Sequence, residues 1–398
     1  MSDTATSTAT TRASEATVDA LPRKRGSKVA SRVAFAVVIV LLLITPLYVE
    51  EFWLRTGFAV AAAAVGAIGL NLLVGTTGQL SLAHAFFLAV GAATYVYVSG
   101  EPGGTATAVD GLGAPPLVGM IAGVLLAGLT GALFSPVAAR LRGIYLGVAS
   151  LGLVFIGQHL LNTWTSVTGG FNGRTTPQFS LFGFHFASDH PFLTVAGVPF
   201  NESERLWYLG LAITLGAYLF ARNLLRSRPG RALQTLRDSE VAAAVMGVNV
   251  QGYKARVFAV SSMYAGMAGV LYALSIGSVA PESFALDLSI LFLAMIVLGG
   301  LGSVLGAVLG ALFVSALPLV FQQYAASLPL VSDPGQGGIA AGEAARLLYG
   351  VAIVAIVLFE PAGIVGLSRR LRRTGRRTPP RPLNDPGTST APAQGSTT

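Results

Sequence analysis

Charge and cysteine are both scarce in this chain. Of its 398 residues only 11% are charged, 53% are hydrophobic, and none is cysteine. An ordinary soluble domain carries roughly 25% charged residues, so this composition has too few polar groups to cover a globule in water. The absence of cysteine excludes disulfides, thiolate metal sites and cysteine nucleophiles. The composition therefore indicates a membrane protein.

Ionisable side chains are rarer still in the apolar segments. His84, His159 and Glu360 lie in or near them, and ionisable groups inside a membrane often mark function. His159 is expected to be a histidine at a helix end rather than a ligand. The apolar segments contain no paired carboxylates, no metal-binding histidine pattern and no serine–histidine–aspartate spacing, and the chain has no nucleotide-binding loop. We therefore predict no enzyme activity, no metal and no cofactor, and we disfavour an ion-driven carrier that relays charge through buried acids.

The long hydrophobic runs predict an all-α, polytopic membrane protein. A spanning helix needs roughly 20 apolar residues, and fewer where it is tilted or broken. Ten such runs occur, at 33–49, 57–74, 80–98, 116–139, 144–161, 206–221, 257–276, 287–300, 302–321 and 345–366. The run 287–300 is short and meets the next through a glycine cluster, which indicates a tight turn or half-helices. We expect about ten transmembrane helices, some of them broken or re-entrant.

The distribution of Lys and Arg predicts the orientation. With ten spans, 22 of the 26 cations fall on one side: six in the N-terminal tail, two at Arg140 and Arg142, seven within 222–256 and seven in the C-terminal tail. Cytoplasmic loops collect Lys and Arg. Both termini are therefore predicted to be cytoplasmic.

The chain divides into three predicted regions. Tails at 1–31 and 369–398 are rich in Ser, Thr and Pro and lack apolar periodicity, so we expect both to be disordered. Between them lies a transmembrane domain at 32–368. Its two long polar connections are an outer loop at 162–205 and a cytoplasmic loop at 222–256.

The cytoplasmic loop contains a helix-forming sequence from Arg231 to Met246. It follows a Pro-Gly pair and ends before Gly247, a residue suited to the position after a helix. Its weakly apolar face consists of Leu233, Leu236, Glu240 and Ala243. Its charged rim consists of Arg231, Arg237 and Asp238. Two interpretations are open: the helix docks into a groove on a soluble partner, or it packs only on the inner ends of its own spans.

A polar interruption separates the second and third runs. Non-helical backbone at membrane depth is tolerated only inside protein or along a cavity. The stretch is either a pore-side turn that meets a polar solute or a tight turn in which Ser81 caps the third helix. A similar glycine pattern opens the ninth run, as in transporters with duplicated halves, although chance also explains it. The candidate pathway residues are Gly75, Gly78, Gln79, Ser81, His84, Gly299 and Gly302.

Five motifs, in the expected order, resemble the permeases of branched-chain amino acid ABC importers. They are NLLVGTTGQLSLAHAFFLAVGA from Asn71, LRGIYLGVASLG from Leu141, TGG-x-x-G from Thr168, RALQTLRDSEVAAAVMGVNVQGYKARVFAVSSMYAGMAGVLYA from Arg231, and VLGGLGSVLGAVLGAL from Val297. Together they extend over most of residues 57–367. The motif from Arg231 is the most specific.

The resemblance implies a permease subunit for branched-chain or related hydrophobic amino acids in a bacterial inner or plasma membrane. Such a subunit pairs with a sister permease, two cytoplasmic ATPases and an extracytoplasmic solute-binding protein. The family's coupling-helix pattern, E-x-A-A-x-x-x-G, falls on Glu240, Ala242, Ala243 and Gly247, and its outer motif falls on Thr168, Gly169, Gly170 and Gly173. A urea or short-amide permease of the same family is one alternative, and a channel or carrier that uses no ATP is another.

Five residues depart from the family pattern. They are Ala83 in place of Gly, Ala307 in place of Pro, Phe155 in place of an acid, Arg174 in place of an apolar residue and Glu360 in place of a base. None is expected to break the fold. The changes at Phe155 and Arg174 bear on which solute is carried.

Overall fold

The computed structural model describes residues 25–102, 111–141, 143–181, 184–186, 194–195, 198–199 and 201–324, and isolated positions between 344 and 366. The chain forms two compact units, Met1–Glu50 and Glu51–Thr398. In the first, helix α1 (Arg25–Ile44) is followed by a 3-10 turn (Thr45–Leu47). The helix thus begins inside the region that the sequence assigned to a disordered tail. The rest of that tail and the tail at 369–398 lie outside the described residues.

The second unit is built from helices. They are α2 (Glu51–Thr77), α3 (His84–Ser99), α4 (Pro116–Arg140), α5 (Ile144–Thr163), α6 (Thr165–Thr168), α7 (Glu202–Arg226), α8 (Arg228–Asp238), α9 (Glu240–Val245), α10 (Val250–Ile276), α11 (Leu286–Gly299) and α12 (Val304–Tyr324). Short 3-10 turns lie at Gly170–Asn172 and Pro281–Phe284.

Six two-residue strands form three antiparallel pairs. They are β1 (Arg174–Thr175) with β6 (Ser278–Val279), β2 (Ser180–Leu181) with β3 (Phe184–His185), and β4 (Thr194–Val195) with β5 (Val198–Pro199). The β1–β6 pair joins the segment after α5 to the segment after α10. The other two pairs lie within the connection between α6 and α7.

The helices confirm a multi-pass membrane protein of the all-α class. Seven segments of the described chain are long and apolar enough to cross a membrane, and α3 and the segment Val33–Leu47 are shorter apolar helices. These nine elements coincide with the first nine predicted spans. The tenth, at 345–366, lies largely outside the described residues. The total of ten spans and the cytoplasmic placement of both termini stay predictions.

Helix α10 lies at the centre of the second unit and packs against α2, α3 and α4. The approach is close: a Cβ at Gly91 of α3 would overlap the backbone of Gly266 of α10. In lipid, helix association rests on such tight van der Waals contact because the lipid tails are as apolar as the helices. The glycines of these spans therefore set how near the helices come.

Two interruptions shape the bundle. The short run at 287–300 forms α11, which a tight turn at 300–303 joins to α12, as the glycine cluster indicated. Gly300 and Gly302 have φ of +110° and +81°, a region that favours glycine. The other interruption, at 78–83, delays the start of α3 from the expected residue 80 to His84. Both interruptions lie at the predicted cytoplasmic side of α2.

Candidate solute route and coupling arm

Residues 78–83 form a non-helical segment between α2 and α3. The side-chain amide of Gln79 donates to the carbonyl of Ala138 in α4 at 3.3 Å. The backbone N–H of Leu82 donates to the hydroxyl of Ser150 in α5 at 2.8 Å. Neighbouring helices therefore supply hydrogen-bond partners to the side chain of Gln79 and to the backbone of Leu82, in a segment that has left the helix.

The first turn of α3 is capped from a distant part of the chain. The N–H of Ala85 donates to the hydroxyl of Ser289 in α11 at 2.9 Å. Ser81, the expected cap, instead accepts from the N–H of Ala83 at 3.3 Å, before the helix begins. The cap interpretation for Ser81 is thus wrong in detail, because Ser289 occupies that role. Nothing in the local sequence around His84 could have indicated Ser289.

The polar side chains expected to face a solute are buried. Gln79, Ser81 and His84 are 5%, 4% and 3% exposed. The His84 ring packs edge-on against Phe292 at 4.8 Å between centroids, and its Nε2 has no hydrogen-bond partner among the described residues. In this conformation the three side chains contact protein, so their role toward a solute stays a prediction.

The two glycine turns found in the sequence lie side by side. Asn71 of α2 links them, because its Oδ1 accepts from the N–H of Gly302 and its Nδ2 donates to the carbonyl of Ser303, both at 2.9 Å. A Cβ at Gly75 would lie 2.5 Å from the nitrogen of Gly302. Gly299 packs equally tightly against the start of α12. Sequence reasoning missed Asn71, although an amide in an otherwise apolar span is a usable signal.

The cytoplasmic loop contains a two-helix arm (residues 228–247) rather than one helix. Ser239 is extended, with φ of −160°, and its hydroxyl accepts from the N–H of Ala242 at 3.2 Å. It therefore ends α8 and caps α9, and the continuous helix expected from Arg231 to Met246 is wrong. Gly247, with φ of +78°, ends α9 as expected.

The arm turns its expected docking face inward. Leu233, Leu236 and Ala243 are 2%, 1% and 0% exposed, because they pack on their own chain, while Arg231, Arg237 and Asp238 are exposed. The expectation that Leu233, Leu236 and Ala243 contact a partner directly is therefore corrected. The large apolar side chains left exposed on α9 and at its C-cap, here called the α9 patch, are Val241 at 71%, Val245 at 83% and Met246 at 64%.

Two charged side chains of the arm also bond within the chain. Arg237 Nη1 donates to the carbonyl of Gly75 at 2.7 Å. Glu240 Oε1 lies 2.5 Å from the ammonium of Lys254 in α10, whose side chain is 3% exposed. A lone lysine in the first turns of an apolar span was a signal for this ion pair that sequence reasoning did not use.

The outer motif builds a turn after α5. Thr168 donates its hydroxyl to the carbonyl of Leu161 at 2.6 Å, and Arg174 donates to the carbonyl of Val167 at 3.1 Å. The motif glycines Gly169, Gly170 and Gly173 have φ of +78°, +63° and +68°. A side chain at these positions would be strained, which explains the glycine pattern.

Helix α5 presents a mixed face to its surroundings. Its exposed residues include Tyr145, Phe155, His159 and Asn162. Beside it, α3, α4 and α5 line an open apolar pocket of about 450 Å³ with residues such as Phe86, Leu160 and Trp164. Within the described part of the chain, no three His, Asp or Glu side chains come close enough to hold a metal ion.

Comparison with known proteins matches residues 51–357 to the family described as the branched-chain amino acid transport system permease component. The chain belongs to this permease family. The match covers α2 to α12 and thus the arm, the two glycine turns and the outer motif.

Permeases of this family with related sequences include LivM, the high-affinity branched-chain amino acid transport system permease protein of Escherichia coli K12. It is 30% identical over 361 residues, which cover 88% of this chain and 78% of that protein. The probable LivM of Methanocaldococcus jannaschii is 25% identical over 286 residues, 68% of this chain and 75% of the relative. The ribose import permease protein RbsC of Escherichia coli K12 is 26% identical over 266 residues, 64% and 72% respectively. No solved structure matches the chain.

Proposed function

We propose that the chain is the membrane-spanning permease subunit of an ABC importer for branched-chain or related hydrophobic amino acids. It works with a sister permease, two cytoplasmic ATPases and an extracytoplasmic solute-binding protein in a bacterial inner or plasma membrane, with both termini in the cytoplasm. The LivM relatives, which are named for branched-chain amino acid transport, support this solute class. The relative named for ribose import matches less of the chain, which favours amino acids over sugars.

The α9 patch is the observation that carries the coupling to an ATPase. Exposed apolar side chains cluster there on a helix of six residues that is bounded by Ser239 and Gly247. Contiguous apolar side chains on a polar connection are typical of a protein interface. Because the caps and the buried Ala243 hold α9 in place, a partner would bind a preformed surface and lose little conformational entropy. We propose that a groove of the ATPase receives the α9 patch.

Changing the centre of this patch tests the docking. In the complete complex, Val245→Arg should lower the recovery of ATPase subunits with the tagged permease by about tenfold, as expected for loss of an apolar anchor in an interface. Gln234→Arg is the matched control, because Gln234 is exposed on α8 of the same arm. Equal recovery of the ATPases with both variants and the unchanged chain would refute docking at α9.

The exposed face of α5 supports a solute route between this chain and its sister permease. His159 and Asn162 lie exposed near the C-terminal end of this mainly apolar helix, and polar groups within a span are placed toward protein or a water-filled path rather than lipid. Phe155 is exposed on the same helix, and the nearby apolar pocket is large enough for a small hydrophobic solute. We place the route along this face and assign the outer turn at 168–173 to the solute-binding protein.

The segment 78–83 then forms the inner boundary of the route. Its bonds run to α4 and α5, so a change in its position changes the wall of the route beside α5. The proposed pathway residues Gln79, Ser81 and His84 act in this boundary, and the two glycine turns support it from the predicted cytoplasmic end.

A further inference from the structure

Three elements meet at the predicted cytoplasmic end of α2. The guanidinium of Arg237, in the last turn of α8, donates to the carbonyl of Gly75 in the last turn of α2. Carbonyls in the last turn of a helix have no partner within it, and a cation there is also favoured by the helix dipole. Arg237 therefore supplies a bond that α2 itself cannot make.

The turn between α11 and α12 belongs to the same cluster. Asn71, which is 2% exposed, fixes this turn to α2 through its two bonds to Gly302 and Ser303. A Cβ at Gly302 would lie 3.0 Å from Arg237 Nη1 and 3.2 Å from the carbonyl of Gly75. The arm, the end of α2 and the α11–α12 turn are thus held together by directional bonds and close backbone contact.

The cluster ends abruptly at Gly78. This residue is exposed, has φ of +69°, and an added Cβ would meet no atom within 4 Å. Immediately after it, Gln79 and Leu82 bond to α4 and α5 instead. A shift of the α2 end relative to α4 and α5 would therefore be taken up at Gly78 and would move the segment 78–83.

We propose that Arg237 is a positioning residue that transmits movement of the arm to the end of α2 and thus to the segment 78–83. This rests on the proposed function, in which an ATPase moves the arm, but it assigns the guanidinium of Arg237, an exposed residue, to its bond with α2 rather than to the ATPase interface. The α9 patch receives the movement from the ATPase, and Arg237 transmits it from the arm to α2.

The test uses the complete complex in proteoliposomes with Arg237→Ala, Arg237→Lys and the control Arg228→Ala. Arg228 is an exposed arginine of the same helix. ATPase recovery and ATP hydrolysis should stay near the level of the unchanged complex in all three variants. Uptake per ATP hydrolysed should fall by about tenfold in Arg237→Ala, as expected when a charge-assisted hydrogen bond is lost. Arg237→Lys should restore part of the coupling, because an ammonium also donates to a carbonyl.

A reporter in the segment separates transmission from simple stability. The chain has no native cysteine, so Leu82→Cys provides a single thiol on it. Its reaction with a hydrophilic maleimide should change when ATP is added, and Arg237→Ala should abolish that change while leaving hydrolysis intact.

Two results would overturn the role of Arg237. One is unchanged uptake per ATP together with an unchanged ATP response of the thiol in Arg237→Ala. The other is loss of the ATPase subunits from Arg237→Ala and Arg237→Lys but not from Arg228→Ala, which would place Arg237 in docking. Both differ from failure of the proposed function, in which Val245→Arg leaves ATPase recovery unchanged.

Discussion

The ion pair between Glu240 and Lys254 gives the sharpest quantitative prediction. The Lys254 side chain is 3% exposed and that of Glu240 is 28% exposed, with 2.5 Å between charged atoms. Glu240→Gln removes the negative charge and leaves the ammonium buried. Breaking a buried pair from one side costs about 3–5 kcal/mol, and the partial exposure of Glu240 reduces this to about 2–3 kcal/mol.

That free energy should appear as loosening of the arm. Since 1.4 kcal/mol is a factor of ten, the population with α9 detached should rise by about 30- to 150-fold. Hydrogen exchange of the α9 amides, measured by mass spectrometry on the purified protein, reports this population directly. Glu240→Gln should speed exchange in α9 by this factor while leaving α10 beyond its first turns unchanged.

Two double variants show whether the pair itself is responsible. Replacing both residues, as Glu240→Leu with Lys254→Met, should protect α9 better than Glu240→Gln alone, because no buried charge is left unpaired. Glu240→Lys with Lys254→Glu should also recover part of the protection that Glu240→Lys alone removes. If Glu240→Gln changes α9 exchange by less than about threefold, the ion pair does not hold the arm and the reasoning is refuted.

Two further predictions concern the bundle and the solute route. Gly91→Ala should lower the free energy of unfolding by about 1–3 kcal/mol, because the new methyl group overlaps the backbone of Gly266. Gly216→Ala is the control, because Gly216 has open space around it. Equal melting temperatures for the two variants would refute the packing argument. Asn162→Ala should change the KM for uptake without changing the melting temperature. Gln79→Ala should lower the melting temperature, since the Gln79 amide bonds to α4. A changed KM in Gln79→Ala together with an unchanged KM in Asn162→Ala would place the solute at Gln79 and not on α5.

The spans could be predicted from the sequence because hydrophobic length is a local property. The interruption before α3 was also visible, as glycines and polar residues between apolar runs. The length of this interruption could not be predicted, because the first turn of α3 is capped by Ser289, which lies 204 positions beyond Ala85. Contacts of that range depend on which helices pack together, and hydropathy does not determine this.

The arm shows where local reasoning reaches its limit. The break at Ser239 had a local signal, since a serine directly before Glu240 is typical of a helix start. No local signal indicated which face of the arm points outward. Leu233 and Leu236 look as suitable for a partner as Val241 and Val245 do, and only packing against the rest of the chain separates them. The pairing of Glu240 with Lys254 depends on packing in the same way, because Lys254 lies on another helix; contact between Glu240 and the ATPase stays a prediction.

The arm divides its side chains between two tasks. Arg237 and Glu240 bond inward, to Gly75 and Lys254, while exposed apolar residues remain on α9. Directional bonds in a partly buried place fix a geometry, whereas an apolar patch binds with less demand on angle and so tolerates rotation of its partner. In the proposed complex this division allows the ATPase surface to rotate on the α9 patch. The bonds of Arg237 and Glu240 then transmit the displacement of the arm to α2 and α10.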